Sequence, residues 1–104
     1  MICLSVLYSN ESGKKFDLTY FQQKHMPMVA QRLKDFGFVR YEIARGMAGG
    51  APGSPAPYVC IVHVYLRSAE ELQKGLGVHG KEIMGDVPNY TDIKPQMQLS
   101  EVVG

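Results

Sequence analysis

Hydrophobic positions fall in three different rhythms along the chain. "ICLSVLY" (Ile2 to Tyr8) and "YVCIVHVYL" (Tyr58 to Leu66) are apolar at both even and odd positions, the pattern of strands covered on both faces. "FVRYEIARG" (Phe38 to Gly46) alternates instead, with Val39, Tyr41 and Ile43 opposing Arg40, Glu42 and Ala44. That is a half-buried strand. The tail "IKPQMQLSEVV" reads as a last strand, with Pro95 near its start where a missing N–H is tolerated.

Helical spacing fills the intervals. Asp17 can cap a helix running toward Asp35, and Gly37 can end it. Ser68 begins "SAEELQ", a capping-box pattern with Glu71 three residues on, and "DVPNY" closes this second helix. "GMAGGAPGSPAP" (Gly46 to Pro57) has no period and reads as a flexible connection.

The order βαββαβ is the ferredoxin-like arrangement, an α+β fold with one four-stranded antiparallel sheet of order 4-1-3-2. It puts strands 1 and 3 in the centre, and those are the two runs without a polar face. Both helices are predicted on one face of the sheet. The other face would then be bare and apolar, which a monomer does not tolerate at that size. A homodimer closed through the open sheet face, isologous about a two-fold axis, is the predicted remedy.

Composition narrows the field. At 104 residues the chain makes one domain, residues 1–104, with 45% hydrophobic and 20% charged residues in a globular balance. Eleven basic against ten acidic residues give +1, without the basic run that would follow a phosphate backbone. No nucleic-acid partner is predicted. No segment approaches a membrane span, and "MICLSVLYSN" lacks the features of a secretory signal. The two cysteines, Cys3 and Cys60, sit in apolar runs as buried thiols of a cytoplasmic protein.

The candidate chemistry centres on "YFQQKHMPMVAQRL" (Tyr20 to Leu33). Counting 100° per residue, the apolar arc of the first helix holds Leu18, Phe21, Met28, Val29, Leu33 and Phe36. His25 falls near its centre, and Gln22 and Arg32 fall inside the same arc. Pro27 removes an N–H, leaves the carbonyl of Gln23 without its usual donor, and biases Met26 away from helical angles. The helix is expected to kink there, or to break and restart with Pro27 in its first turn. A defect of up to ~3 kcal/mol beside a titratable ring suits a pocket better than a packed core. Two readings of His25 stay open: a buried ring satisfied by a carbonyl, or an imidazole placed for proton transfer near neutrality.

Other residues carry the same ambiguity. His79 lies at the edge of the stripe Leu72, Leu76, Ile83 and Val87, within "KGLGVHG". Gly75, Gly77 and Gly80 there mean either close packing or room for a ligand. His63 alternates with Ile61 and Tyr65 on strand 3. The three histidines have neither i, i+4 spacing nor a nearby acidic set, so no metal is predicted. In "GDVPNYTDIKP", Asn89, Tyr90 and Asp92 either shape a turn or let Tyr90 or Asp92 orient a polar substrate group.

Taken together, "SVLY", "FDLTYFQQKHMPMV", "RGMAGGAPGSPAPYV" and "GDVPNYTDI" resemble the EthD family. His25-Met26-Pro27 matches the H-x-P element that is its most characteristic short motif. The family takes its name from a protein encoded with an ethyl tert-butyl ether degradation system. The resemblance implies a dimeric α+β barrel with a pocket between the helices and the sheet of each subunit. Similar barrels include cofactor-free monooxygenases, muconolactone-type isomerases and polyketide-modifying enzymes. Only His25 and Pro27 carry over from the motif; Tyr8, His79 and Asp92 are candidates from position and chemistry.

Two functions are therefore expected in parallel. One is a cofactor-independent enzyme in which His25 moves a proton on a small apolar carbonyl or aromatic compound, with Tyr8 or His79 stabilising the oxyanion. The other is a non-catalytic small-molecule carrier or accessory subunit of a degradation pathway. No flavin, haem or nicotinamide site is legible, and no cofactor is predicted.

Overall fold

The computed structural model describes residues 1–104 and carries the expected elements in the expected order. β1 (Ile2–Ser9) leads to a first helix in three pieces: α1 (Leu18–Tyr20), a π-helical turn (Phe21–His25) and α2 (Met26–Leu33). β2 (Phe38–Arg45), β3 (Tyr58–Leu66), α3 (Ala69–Gly85), a 3₁₀ turn (Val87–Asn89) and β4 (Gln96–Glu101) follow. The sheet runs β2-β3-β1-β4, which is the order 4-1-3-2 read from its other edge, and every pair is antiparallel.

The ends of the helices are set by the residues that their chemistry selects. Asp17 accepts the Tyr20 N–H at 3.1 Å, and Ser68 accepts the Glu71 N–H at 3.2 Å. Gly37 has φ +76°, a conformation that costs glycine little. A side chain there would also meet the Glu71 carboxylate at 2.8 Å. The core lies between the helices and the sheet, where Val6, Cys60, Val62, Val64 and Leu66 meet Phe21, Val29, Leu33 and Leu72. Each large apolar side chain contributes roughly 1.5–3 kcal/mol by leaving water.

The first helix departs from expectation in one respect. Met26 keeps right-handed helical angles, φ −67° and ψ −38°, so Pro27 does not push it toward an extended conformation. The strain is taken up before it. The Met26 N–H donates to the Phe21 carbonyl, five residues back, and the wider turn clears room for the proline ring. Pro27 then sits in the first turn of α2. The turn also adds one residue to the helical register, which corrects the 100° count. Met26 joins the buried face, Gln22 becomes exposed, and Arg32 turns outward to Glu82 at 2.8 Å.

The molecule measures 42 × 34 × 19 Å, a thickness that holds one sheet and one helical layer. The sheet's other face has no cover from the chain. It is less apolar than the pattern predicts, because Ser5 and His63 face each other across β1 and β3 and share a 2.8 Å hydrogen bond. Half-buried Leu7 and Ile61 lie beside them. No helix is long and apolar enough to cross a membrane.

Candidate active site

The π-helical turn decides where His25 points. In an ideal α-helix residues five apart are separated by about 140° around the axis. The wider turn swings Tyr20 and His25 toward one side, where both reach the same carboxylate. Asp86, the C-cap of α3, accepts from His25 Nδ1 at 2.9 Å through Oδ2. Its Oδ1 accepts from the Tyr20 hydroxyl at 2.7 Å and from Asn89 Nδ2 at 2.9 Å.

This network fixes the ionisation of the pair. Burial lowers the His25 pKa below its ordinary value of 6.5, against the opposing pull of Asp86. Burial alone would raise Asp86, but the hydrogen bonds from Tyr20, Asn89 and His25 outweigh it and hold the carboxyl below 3.8. At neutral pH the imidazole is uncharged and donates its Nδ1 proton to a carboxylate. Nε2 is thereby the unprotonated nitrogen, a tautomer set by the partner, and it has no hydrogen-bond partner in the chain.

His25 lines a cavity of about 390 Å³ between the helices and the sheet, within the usual range for small-molecule sites. Fourteen of its eighteen lining residues are hydrophobic, so the occupant they suit is largely apolar. β1 and β3 supply Leu4, Val6 and Val64 as a floor, Val29 and Ile83 come from the helices, and Met97 closes one side from β4.

The cavity wall also holds two tyrosines. Tyr8 and Tyr90 both line it, and their hydroxyls meet at 2.6 Å. The Tyr90 ring packs 4.6 Å from the His25 ring, centroid to centroid. Burial pushes Tyr8 up to about 12 and raises Tyr90 as well, so both stay protonated at neutral pH. Two hydroxyls joined by one hydrogen bond keep one O–H that can donate to a ligand oxygen.

The four candidates from the sequence therefore part company. His25 and Tyr8 share the cavity. His79 is turned from it, with its ring 5.9 Å from Phe36 and Nδ1 4.0 Å from Glu82, because its helical position falls outside the stripe that faces the sheet. Asp92 is exposed and accepts the Lys15 N–H at 2.8 Å. It braces the loop that enters the first helix. Of the Tyr90-or-Asp92 alternative, the structure brings only Tyr90 to His25. The glycines divide too. A Cβ on Gly75 would stand 2.8 Å from Leu33, which is close packing, whereas Gly80 lines the cavity.

Asp86 is the residue that sequence reasoning missed. A signal existed: an acid at a helix C-terminus opposes the macrodipole, and such a placement calls for compensation. Here three side-chain donors supply it.

The EthD domain matches residues 13–94 of this chain. The chain belongs to the EthD family. An EthD-like protein from Ralstonia eutropha JMP134 superposes with a TM-score of 0.93 at 41% identity, over 99% of this chain and 92% of that one. An EthD-family protein from Bacillus halodurans C-125 gives 0.66 at 17% identity, over 99% of both chains. A dimeric ferredoxin-like protein from an uncultured marine organism gives 0.63 at 16% identity, over 100% of this chain and 96% of that one. The latter two share the fold alone. No curated protein matches the chain. The EthD match contains His25, Asp86 and Tyr90 and begins after Tyr8.

Proposed function

We propose that this EthD-family protein is a cofactor-independent enzyme that moves a proton on a small, largely apolar carbonyl or phenolic compound within a degradation or modification pathway. The observation that carries the reading is the uncharged His25 ring held by the Asp86 carboxylate on the wall of an apolar cavity, with Nε2 left without a partner in the chain. Nε2 would accept a proton from a carbon beside a carbonyl, or from a phenol. The spare O–H of the Tyr8–Tyr90 pair would donate to the developing oxyanion. Asp86 would hold the tautomer and stabilise the imidazolium that forms, as a carboxylate behind a catalytic histidine does. Proton transfer by a positioned group contributes about 10²–10⁴-fold.

His25→Asn is the test, because its Nδ2–H can still donate to Asp86 while nothing replaces Nε2. Hydrogen–deuterium exchange at the α-carbon of small cyclic ketones is followed in D₂O. The reading requires wild-type exchange that the variant loses while the fold persists. Equal exchange in both proteins contradicts it. Binding without exchange in the wild type leaves the carrier reading, which the apolar lining also favours.

The homodimer belongs to the same proposal. The uncovered sheet face, with Leu7 and Ile61 around the Ser5–His63 pair, is the surface that would meet its copy across a two-fold axis. The dimeric marine neighbour shares this topology, which supports the assignment.

A further inference from the structure

The charged side chains of α3 are paired, with one exception. Glu70 meets Lys74, Glu71 meets Arg67, and Glu82 meets both Arg32 and His79. At the C-cap, Asp86 meets His25. Lys81 has no ion-pair partner. Its helical neighbours three and four residues away are Gly77, Val78, Met84 and Gly85, none of which carries a charge. Yet Lys81 lines the cavity, and no other lysine or arginine does.

We propose that Lys81 selects ligands carrying a carboxylate at the end opposite the group that meets His25. The inference rests on the reading of this cavity as a ligand site. His25 is pinned to Asp86, and Lys81 precedes Asp86 by five residues, about 7.5 Å along the helix axis. A ligand that meets both groups carries a polar group at each end of an apolar body. Lys81 is exposed and lines the cavity with Leu76 and Met84, where a lysine can lay its stem along apolar side chains and keep its ammonium in water. A carboxylate there stays partly hydrated while the apolar body enters the interior, so neither group is stranded. A phosphate dianion calls for several donors or an arginine fork, and the cavity offers one lysine.

The test uses calorimetric titration at pH 7.5 with two probes of similar size, 4-hydroxyphenylacetate and 4-ethylphenol. Both are added to the wild type, to Lys81→Met and to Lys81→Glu, with thermal melts confirming that the variants fold. The wild type is expected to bind the acid about fivefold more tightly than the neutral phenol, the scale of one partly exposed ion pair. Lys81→Met removes that preference and Lys81→Glu reverses it, each read as the ratio of the two affinities within one protein. Equal binding of the two probes by the wild type, or a preference that survives in Lys81→Met, overturns the role of Lys81 and leaves the cavity reading intact. If neither probe binds the wild type, the cavity reading fails and the inference falls with it.

Discussion

His25 and Asp86 lie 61 positions apart in the chain and meet at 2.9 Å because the first helix is wound one residue wide. The π-helical turn brings Tyr20 to the same carboxylate, so ring, phenol and acid form one unit across the two helices. A neutral imidazole with one nitrogen committed and the other open is the chemical product of that geometry.

The pH dependence follows from the direction of the shifts. The folded His25 has a pKa below 6.5, so as pH falls beneath 6.5 the unfolded chain takes up a proton that the site resists. Stability from this group is complete above pH 6.5 and declines until pH passes below the folded value. Asp86 adds its own loss at lower pH, beginning near its unfolded value of 3.8. Thermal melts from pH 7.5 to 5 should show a fall in the wild type that His25→Asn lacks. A fall of equal slope in both would refute the assignment.

Pro27→Ala separates helix stability from site geometry. Restoring the amide lets residue 27 bond the Gln23 carbonyl and relaxes the helix, a gain of about 1 kcal/mol or more. The same change lets the turn tighten and swings His25 from Asp86. The variant should melt higher while losing the downfield Nδ1 proton resonance that marks the His25–Asp86 bond. A variant that keeps that resonance would show that the turn does not depend on proline.

The tyrosine pair makes a non-additive prediction. Tyr8→Phe or Tyr90→Phe leaves one buried hydroxyl without its partner, at a cost of about 1–3 kcal/mol. The double variant removes both hydroxyls and should cost less than the two singles added together. Denaturant unfolding of the four proteins closes the cycle, and strict additivity would mean that the 2.6 Å contact contributes nothing.

Three glycines of α3 should respond differently to alanine. Gly75→Ala places a methyl 2.8 Å from Leu33 and 3.0 Å from Phe36 and should destabilise by about 1–3 kcal/mol. Gly77 has nothing within 4 Å, so Gly77→Ala should stabilise by about 0.5–1 kcal/mol. Gly80→Ala brings a methyl to 3.7 Å from Leu76 on the cavity wall. It should be tolerated in a melt and weaken ligand binding.

The sheet surface gives an assembly test. Ile61→Glu puts a charge on the uncovered face beside the Ser5–His63 pair, where a desolvated, unpaired charge is costly. Sedimentation should find dimers in the wild type and single chains in the variant. Single chains in both would remove the face-to-face pairing.

The topology was legible because binary pattern decides it: Ile2 to Tyr8 and Tyr58 to Leu66 could only be central strands, and Asp17, Gly37 and Ser68 marked the helix ends. His25 was legible as a polar ring on an apolar arc. Its partner was not, because the pairing of His25 with Asp86 depends on how α3 lies over the first helix, which no local pattern records. The inserted turn was hidden for a related reason. Pro27 signalled a defect, but whether the backbone kinks, breaks or widens depends on what the neighbouring side chains gain, and here Tyr20 and His25 both gain Asp86. Asp92 and Tyr90 are two residues apart in the same turn-rich segment, and only the bridge of Phe16 with Thr91 fixes which one turns inward.

Pro27 lacks the hydrogen that a regular helix would need at that point, so the widened turn has no simple way to anneal. The arrangement of ring and acid is thus written into the covalent chain. In the proposed enzyme a guest would have no machinery to assemble on arrival, and its binding energy would remain free for discrimination and for the chemistry itself.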